Sequence, residues 1–229
     1  MSGGDPRAAD EWRSAFERVS RTAREAHETS PDLLERRVPA CPGWTARELL
    51  AHMIGVGHDT LSGDVVDDHN EGWTQGQVDA RAGRTTPELL EEWADLAPDL
   101  HAYVRDTDPR PLGDTIIHEQ DLRGALEAPG ARDTEGLASV RATMADQLGE
   151  RLEGRGPVRL EATDDDWTWQ SGEGDPAVVL RAPAYDLTRG LTSRRTAGQL
   201  RSWTTAGDVE PYLDDFAGLG PLPEQELPE

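Results

Sequence analysis

The chain has 229 residues, a formal net charge of −22 and a single cysteine, Cys41, and each of its 23 basic residues is an arginine. At 35% apolar residues and a mean hydropathy of −0.69 there is enough for a core but no apolar run near the roughly 18 residues of a membrane span. An acidic surface repels phosphate backbones and anionic lipid heads, which argues against nucleic acid and membranes as partners; the lone cysteine excludes an internal disulfide, and the absence of lysine excludes Schiff-base and P-loop chemistry.

The opening MSGGDPRAADEW lacks a basic stretch followed by an apolar one, so no signal peptide is expected and the cytoplasm is the default location. Trp12, Phe16, Val19, Ala23 and Ala26 recur near a 3.6-residue period and predict a first helix over 9–28, broken at Ser30-Pro31-Asp32. Val38 to Trp44, with Pro39 and Pro42-Gly43, is a stiff connector. A second helix then starts cleanly, with Thr45 as N-cap and Glu48 completing a capping box. Its apolar residues are Leu49, Leu50, Met53, Ile54 and Val56, and His52 lies among them. The Gly- and Asp-rich stretch 62–85 reads as a long loop with room for one short helix, anchored by Trp73; such loops often flank sites.

Thr86-Pro87 opens a third helix carrying Leu89, Leu90, Trp93, Leu96, Leu100, Tyr103 and Val104, with Pro98 inside it. Asp108-Pro109-Arg110-Pro111 ends it. A fourth helix is predicted over about 113–127, and another amphipathic helix over about 135–152, through Leu137, Val140, Met144 and Leu148. After Gly154 the pattern changes. Val158 to Ala162, Trp167 to Gln170 and Ala177 to Ala182 read as strands, and Tyr185–Leu191 and Ala197–Trp203 as short helices. The tail GPLPEQELPE has the composition of a disordered segment. Periodicity therefore predicts a helical domain over 1–153 followed by a small α/β domain over 154–229.

Asp114 and His118 stand four residues apart on the fourth helix and so project from one face. A second imidazole, from His52, completes a two-His, one-carboxylate set, which leaves a coordination position open and suits a catalytic metal. Glu119 lies about 100° around the helix from His118 and is a poorer ligand. Asp121 suits a supporting contact or an Arg partner. His58 falls on the far side of its helix from His52, and His69 and His101 are spare. Cys41 has no base beside it in sequence and reads as a small buried thiol.

The stretches VPACPGWTARELLAHM, Val38 to Met53, and DTIIHEQDLRGAL, Asp114 to Leu126, resemble the mycothiol-dependent maleylpyruvate isomerase family, and AYDLTRGLTSRR and GDVEPYL resemble its C-terminal domain. The resemblance implies an α+β chain: a DinB-like four-helix bundle followed by a small, sterol-carrier-like α/β domain. It implies a divalent metal, zinc first, held by His52, Asp114 and His118, although the family has E-x-x-x-H where this chain has Asp114. It also implies mycothiol as co-substrate and a small, anionic, electrophilic substrate. An arginine of the family's C-terminal domain holds the anionic group, which points to Arg194 of the Arg194-Arg195 pair. A thiolate adds to the electrophile; in an isomerase, rotation and elimination follow, and in an S-transferase the adduct is the product. The same residues also fit a metal-dependent hydrolase, or a non-catalytic metal- or ligand-binding module, to which the Asp114 departure points. Monomer and homodimer are both open.

Overall fold

The computed structural model describes residues 3–65 and 70–228, and the chain divides into two compact units, one comprising residues up to Ala131 and one spanning Arg132–Leu227. The fold is α+β, as the resemblance implies.

In the first unit, α1 (Pro6–Thr29) is capped by Asp5, whose side chain accepts from Arg7 N, and turns Ala9, Trp12, Ala15, Val19 and Ala23 inward. Trp12 stacks on Phe16, and Phe16 meets Trp93 edge-on with centroids 5.0 Å apart. The stiff connector is a two-stranded antiparallel ribbon, β1 (Arg37–Val38) with β2 (Cys41–Thr45). A proline is tolerated there because the ribbon needs few ladder bonds. The ribbon ends at Thr45, which caps α2 (Ala46–Ser62) through the predicted capping box with Glu48; α2 stops at Gly63, whose φ of 78° is the left-handed conformation that glycine adopts without cost.

The stretch expected as loop contains α3 (Glu71–Asp79), capped by Asn70, and its inner face buries Gln77 and Val78. α4 (Thr86–Asp106) has its own capping box, Thr85 with Glu88. Pro98 sits inside α4 without ending it: Pro98 and Ala94, whose carbonyl loses its helical partner, are both exposed, so water can serve that carbonyl. α5 (Arg110–Leu126) begins three residues earlier than expected, and Glu127, with φ of 52°, closes it. α1, α2, α4 and α5 form the bundle, with α3 against α2. Leu50, Ile54, Leu89, Trp93, Leu100, Ile116 and Leu122 fill its core.

In the second unit, α6 (Glu135–Arg151) packs on α7 (Ala184–Leu191). The expected boundary at 153/154 placed α6 with the bundle; instead Ala145, Leu148 and Leu152 belong to the second unit's core, and the division falls at 131/132. The sheet has the order β4-β3-β5-β6, with β3 (Val158–Ala162) parallel to β5 (Val178–Ala182) and both outer strands, β4 (Thr168–Gln170) and β6 (Thr204–Gly207), antiparallel. Alternation sends Val158, Leu160, Val178 and Leu180 into one core with Leu187, Leu191, Leu200 and Phe216, the last from a 3₁₀ turn over Glu210–Phe216. α8 (Ala197–Trp203) leads into β6. Within the tail expected to be disordered, Leu222 packs against this core, and just before it Leu219 N donates to Ser193 Oγ at 3.0 Å.

Candidate metal centre

The capping box fixes where α2 starts, and two turns later His52 faces the bundle interior, 3% exposed. α5 presents Asp114 and His118 from one face, as their spacing requires. Asp114 Oδ1 lies 3.5 Å from His52 Nε2 and 3.5 Å from His118 Nε2, and the two imidazoles meet edge to face with centroids 5.1 Å apart. One ligand atom from each of the three residues falls within a 4.8 Å span. All three residues named from the sequence therefore come together. The aspartate is shorter than a glutamate, yet it reaches both rings.

Each imidazole is held at its other nitrogen. His52 Nδ1 is 2.8 Å from Gln77 Oε1, and Gln77 Nε2 donates to Asp59 Oδ2 at 2.7 Å. His118 Nδ1 is 3.0 Å from Asp121 Oδ2, and Asp121 is buried. Such outer contacts fix ring orientation and tautomer and so aim the other nitrogen. The Trp44 ring lies against His52 with centroids 4.8 Å apart, and its Nε1 donates to Gln75 Oε1 at 3.1 Å. Cys41 joins from β2: its Sγ is 3.9 Å from Asp121 Oδ2, and Cys41, His118 and Asp121 also offer atoms within a 4.8 Å span. The cysteine read as inert from its sequence neighbours thus has an imidazole and a carboxylate beside it in space.

Burial raises the proton affinity of the Asp114 carboxyl, but the neighbouring His118 and the hydrogen bond and charge of His52 outweigh it, so the group sits below the usual carboxylate range and is ionised at neutral pH. An ionised carboxylate and two imidazoles converging on one small volume are a group that could hold a metal ion.

The remaining candidates lie elsewhere. Glu119 is buried in an ion-pair cluster, bonded to Arg18 Nη2 at 2.8 Å and Arg123 Nη2 at 3.1 Å. His58 is exposed beside Asp59, His101 pairs with Arg13, and His69 lies outside the described residues. Arg194 belongs to the second unit, where it is 7% exposed and its Nη1 donates to Thr192 O at 2.7 Å; Arg195 pairs with Asp186. Trp167 and Trp169 pack against the second core, Trp167 beneath Arg141. The sequence pattern does not mark Gln75 and Gln77, because the stretch around α3 reads as mostly loop. The signal that marks it is Asn70, an N-cap whose side chain accepts from Trp73 N.

Residues 12–123 match the model of the mycothiol maleylpyruvate isomerase N-terminal domain. A crystal structure of a histidine-to-alanine mutant of the mycothiol-dependent maleylpyruvate isomerase superposes with a TM-score of 0.60 at 14% identity, covering 89% of this chain and 93% of that one. That likeness is one of fold. No curated protein sequence matches the chain.

Proposed function

Residues 12–123 belong to the mycothiol maleylpyruvate isomerase N-terminal domain family, and on that premise we propose that the protein is a metal- and mycothiol-dependent isomerase or S-transferase acting on a small, anionic electrophile. The observation that carries this reading is the convergence of His52 Nε2, His118 Nε2 and Asp114 Oδ1, with each ring's Nδ1 already engaged by another side chain. The ionised Asp114 carboxylate favours positive charge beside the two ring nitrogens that face it. A divalent metal, zinc first, supplies that charge, and His52, Asp114 and His118 would hold it with a coordination position left open. When bound there, the metal lowers the proton affinity of a thiol, so that thiolate is available near neutral pH.

The chain's own residues do the rest. Asp121 and Gln77 hold the two rings in orientation. Trp44, fixed by Gln75, lays an apolar wall beside His52 and limits access of water to it. Arg194 is proposed to hold an anionic group of substrate or thiol, because a guanidinium fork binds carboxylates bidentately. For isomerisation, addition of the thiol to a double bond makes it single, rotation follows, and elimination restores both thiol and double bond. For transfer, the adduct is released.

The test is turnover of maleylpyruvate and of simple electrophiles by zinc-loaded protein with and without mycothiol. Mycothiol-dependent turnover that His118→Ala abolishes is the expected result. Turnover independent of thiol would mean a hydrolase with water at the metal, and no turnover of any electrophile would mean a binding module.

A further inference from the structure

The network behind His52 has a direction, and that direction decides which ring nitrogen carries the proton. Asp59 is a carboxylate, which when ionised only accepts hydrogen bonds. The Gln77 atom that faces it at 2.7 Å must therefore be the amide nitrogen. The other end of the same amide, Oε1, then faces His52 Nδ1 at 2.8 Å, and this oxygen only accepts. So Nδ1 must carry a hydrogen, and Nε2, which faces Asp114 and His118, is the ring nitrogen left available to a metal. An amide on its own can turn over and serve either tautomer; the Asp59 carboxylate removes that choice.

The placement of Gln77 is built into the packing. A β-carbon at Gly55, one turn beyond His52, would lie 2.4 Å from Gln77 Cβ, so only glycine lets α3 come this close to α2. Gln77 is 4% exposed. Its backbone carbonyl accepts from Arg81 Nη1 at 3.1 Å, and Arg81 pairs with Glu92 of α4 at 2.7 Å, which ties this end of α3 to α4. A buried amide with both ends satisfied and its backbone clamped is a fixed orientation device.

We propose that Gln77 is a positioning residue for the metal centre, with Asp59 setting its polarity and Gly55 making room for it, and that this relay holds His52 in the Nδ1-protonated tautomer that can ligate through Nε2. The proposal rests on the reading of His52 as a ligand, and its consequences are separable from it. In metal-free protein labelled with ¹⁵N-histidine, long-range nitrogen–proton spectra should show a hydrogen on His52 Nδ1; a ring protonated at Nε2 alone would overturn the relay whether or not metal binds.

The second arm is zinc affinity by competition with a chromophoric chelator. Gln77→Met keeps an unbranched side chain of similar length but removes the acceptor, and should weaken zinc binding by about 10- to 100-fold. The double change Gln77→Glu with Asp59→Asn keeps an acceptor toward His52 and a hydrogen bond behind it, and should restore both the tautomer and the affinity. A purely volumetric role for Gln77 would give the opposite order, with Gln77→Met binding as wild type. Wild-type protein that binds no zinc would instead overturn the metal reading, while the tautomer measurement would still decide the relay. A thermal melt of each variant separates loss of affinity from loss of fold.

Discussion

At the scale of single residues, the centre depends on acidic side chains doing different work within eight positions of one helix. Asp114 joins the imidazoles, Asp121 steadies His118, and Glu119 has no part in the metal set but neutralises Arg18 and Arg123. The hydrogen bond and charge of Glu119 raise the proton affinity of the Arg18 guanidinium against the opposing effect of burial. Removing one member of such a cluster leaves uncompensated charge: Glu119→Ala should cost about 3 kcal/mol in urea unfolding, and a loss below about 0.5 kcal/mol, the range of an ordinary surface change, would show that the cluster is solvated. The placement of Asp114 on the His118 face and of Glu119 off it was legible in the sequence from helical spacing alone, whereas the pairing of Glu119 with Arg18 and Arg123 was not. Gln77 was not legible, since what defines it is a contact across 25 positions with His52, and no local period encodes that.

At the scale of elements, the centre is set by where helices start. Thr45 caps α2 and thereby fixes the register that brings His52 inward. Thr45→Ala should cost about 1 kcal/mol of stability by chemical denaturation, and a neutral result would remove the capping box from the account. Glu88 plays the same part in α4. Hydrogen bonds from Thr85 hold its carboxyl below the usual range, with only a small opposing effect of burial. A carboxyl lowered in the folded state stabilises above its unfolded value, about 4.3, and that contribution is lost as pH falls through the depressed folded value. Wild type should therefore lose stability over that acid range relative to Glu88→Gln, as compared by thermal melts at a series of pH values; parallel curves would contradict it. Both capping signals stand in the sequence as a threonine followed three residues on by glutamate. α3 was read only as room for a short helix because its apolar content is one valine and one tryptophan, too little for a periodic signal, and a cap alone carried the information.

At the scale of the molecule, the paired sequence motifs marked three residues that do come together in the bundle, whereas periodicity set the domain boundary at 153/154 and the compact units divide at 131/132. A helix pattern shows that α6 has an apolar face and is silent on which core that face joins; Leu148 and Leu152 join the second. The net charge of −22 makes the folded state repel itself, so raising salt from about 0.01 M to about 1 M, which shortens the screening length from about 30 Å to about 3 Å, should raise the melting temperature; a fall would mean that local ion pairs outweigh the global repulsion. A cation bound at His52, Asp114 and His118 would add about 2.7 kcal/mol of stability at a concentration of about 100 times its dissociation constant. The most direct measurement is calorimetric titration of metal-stripped, untagged protein with zinc, alongside His52→Ala and His118→Ala. The account expects one ion per chain in the wild type and none at the same concentrations in either variant. Absence of binding in the wild type, or binding that both variants retain, would contradict it.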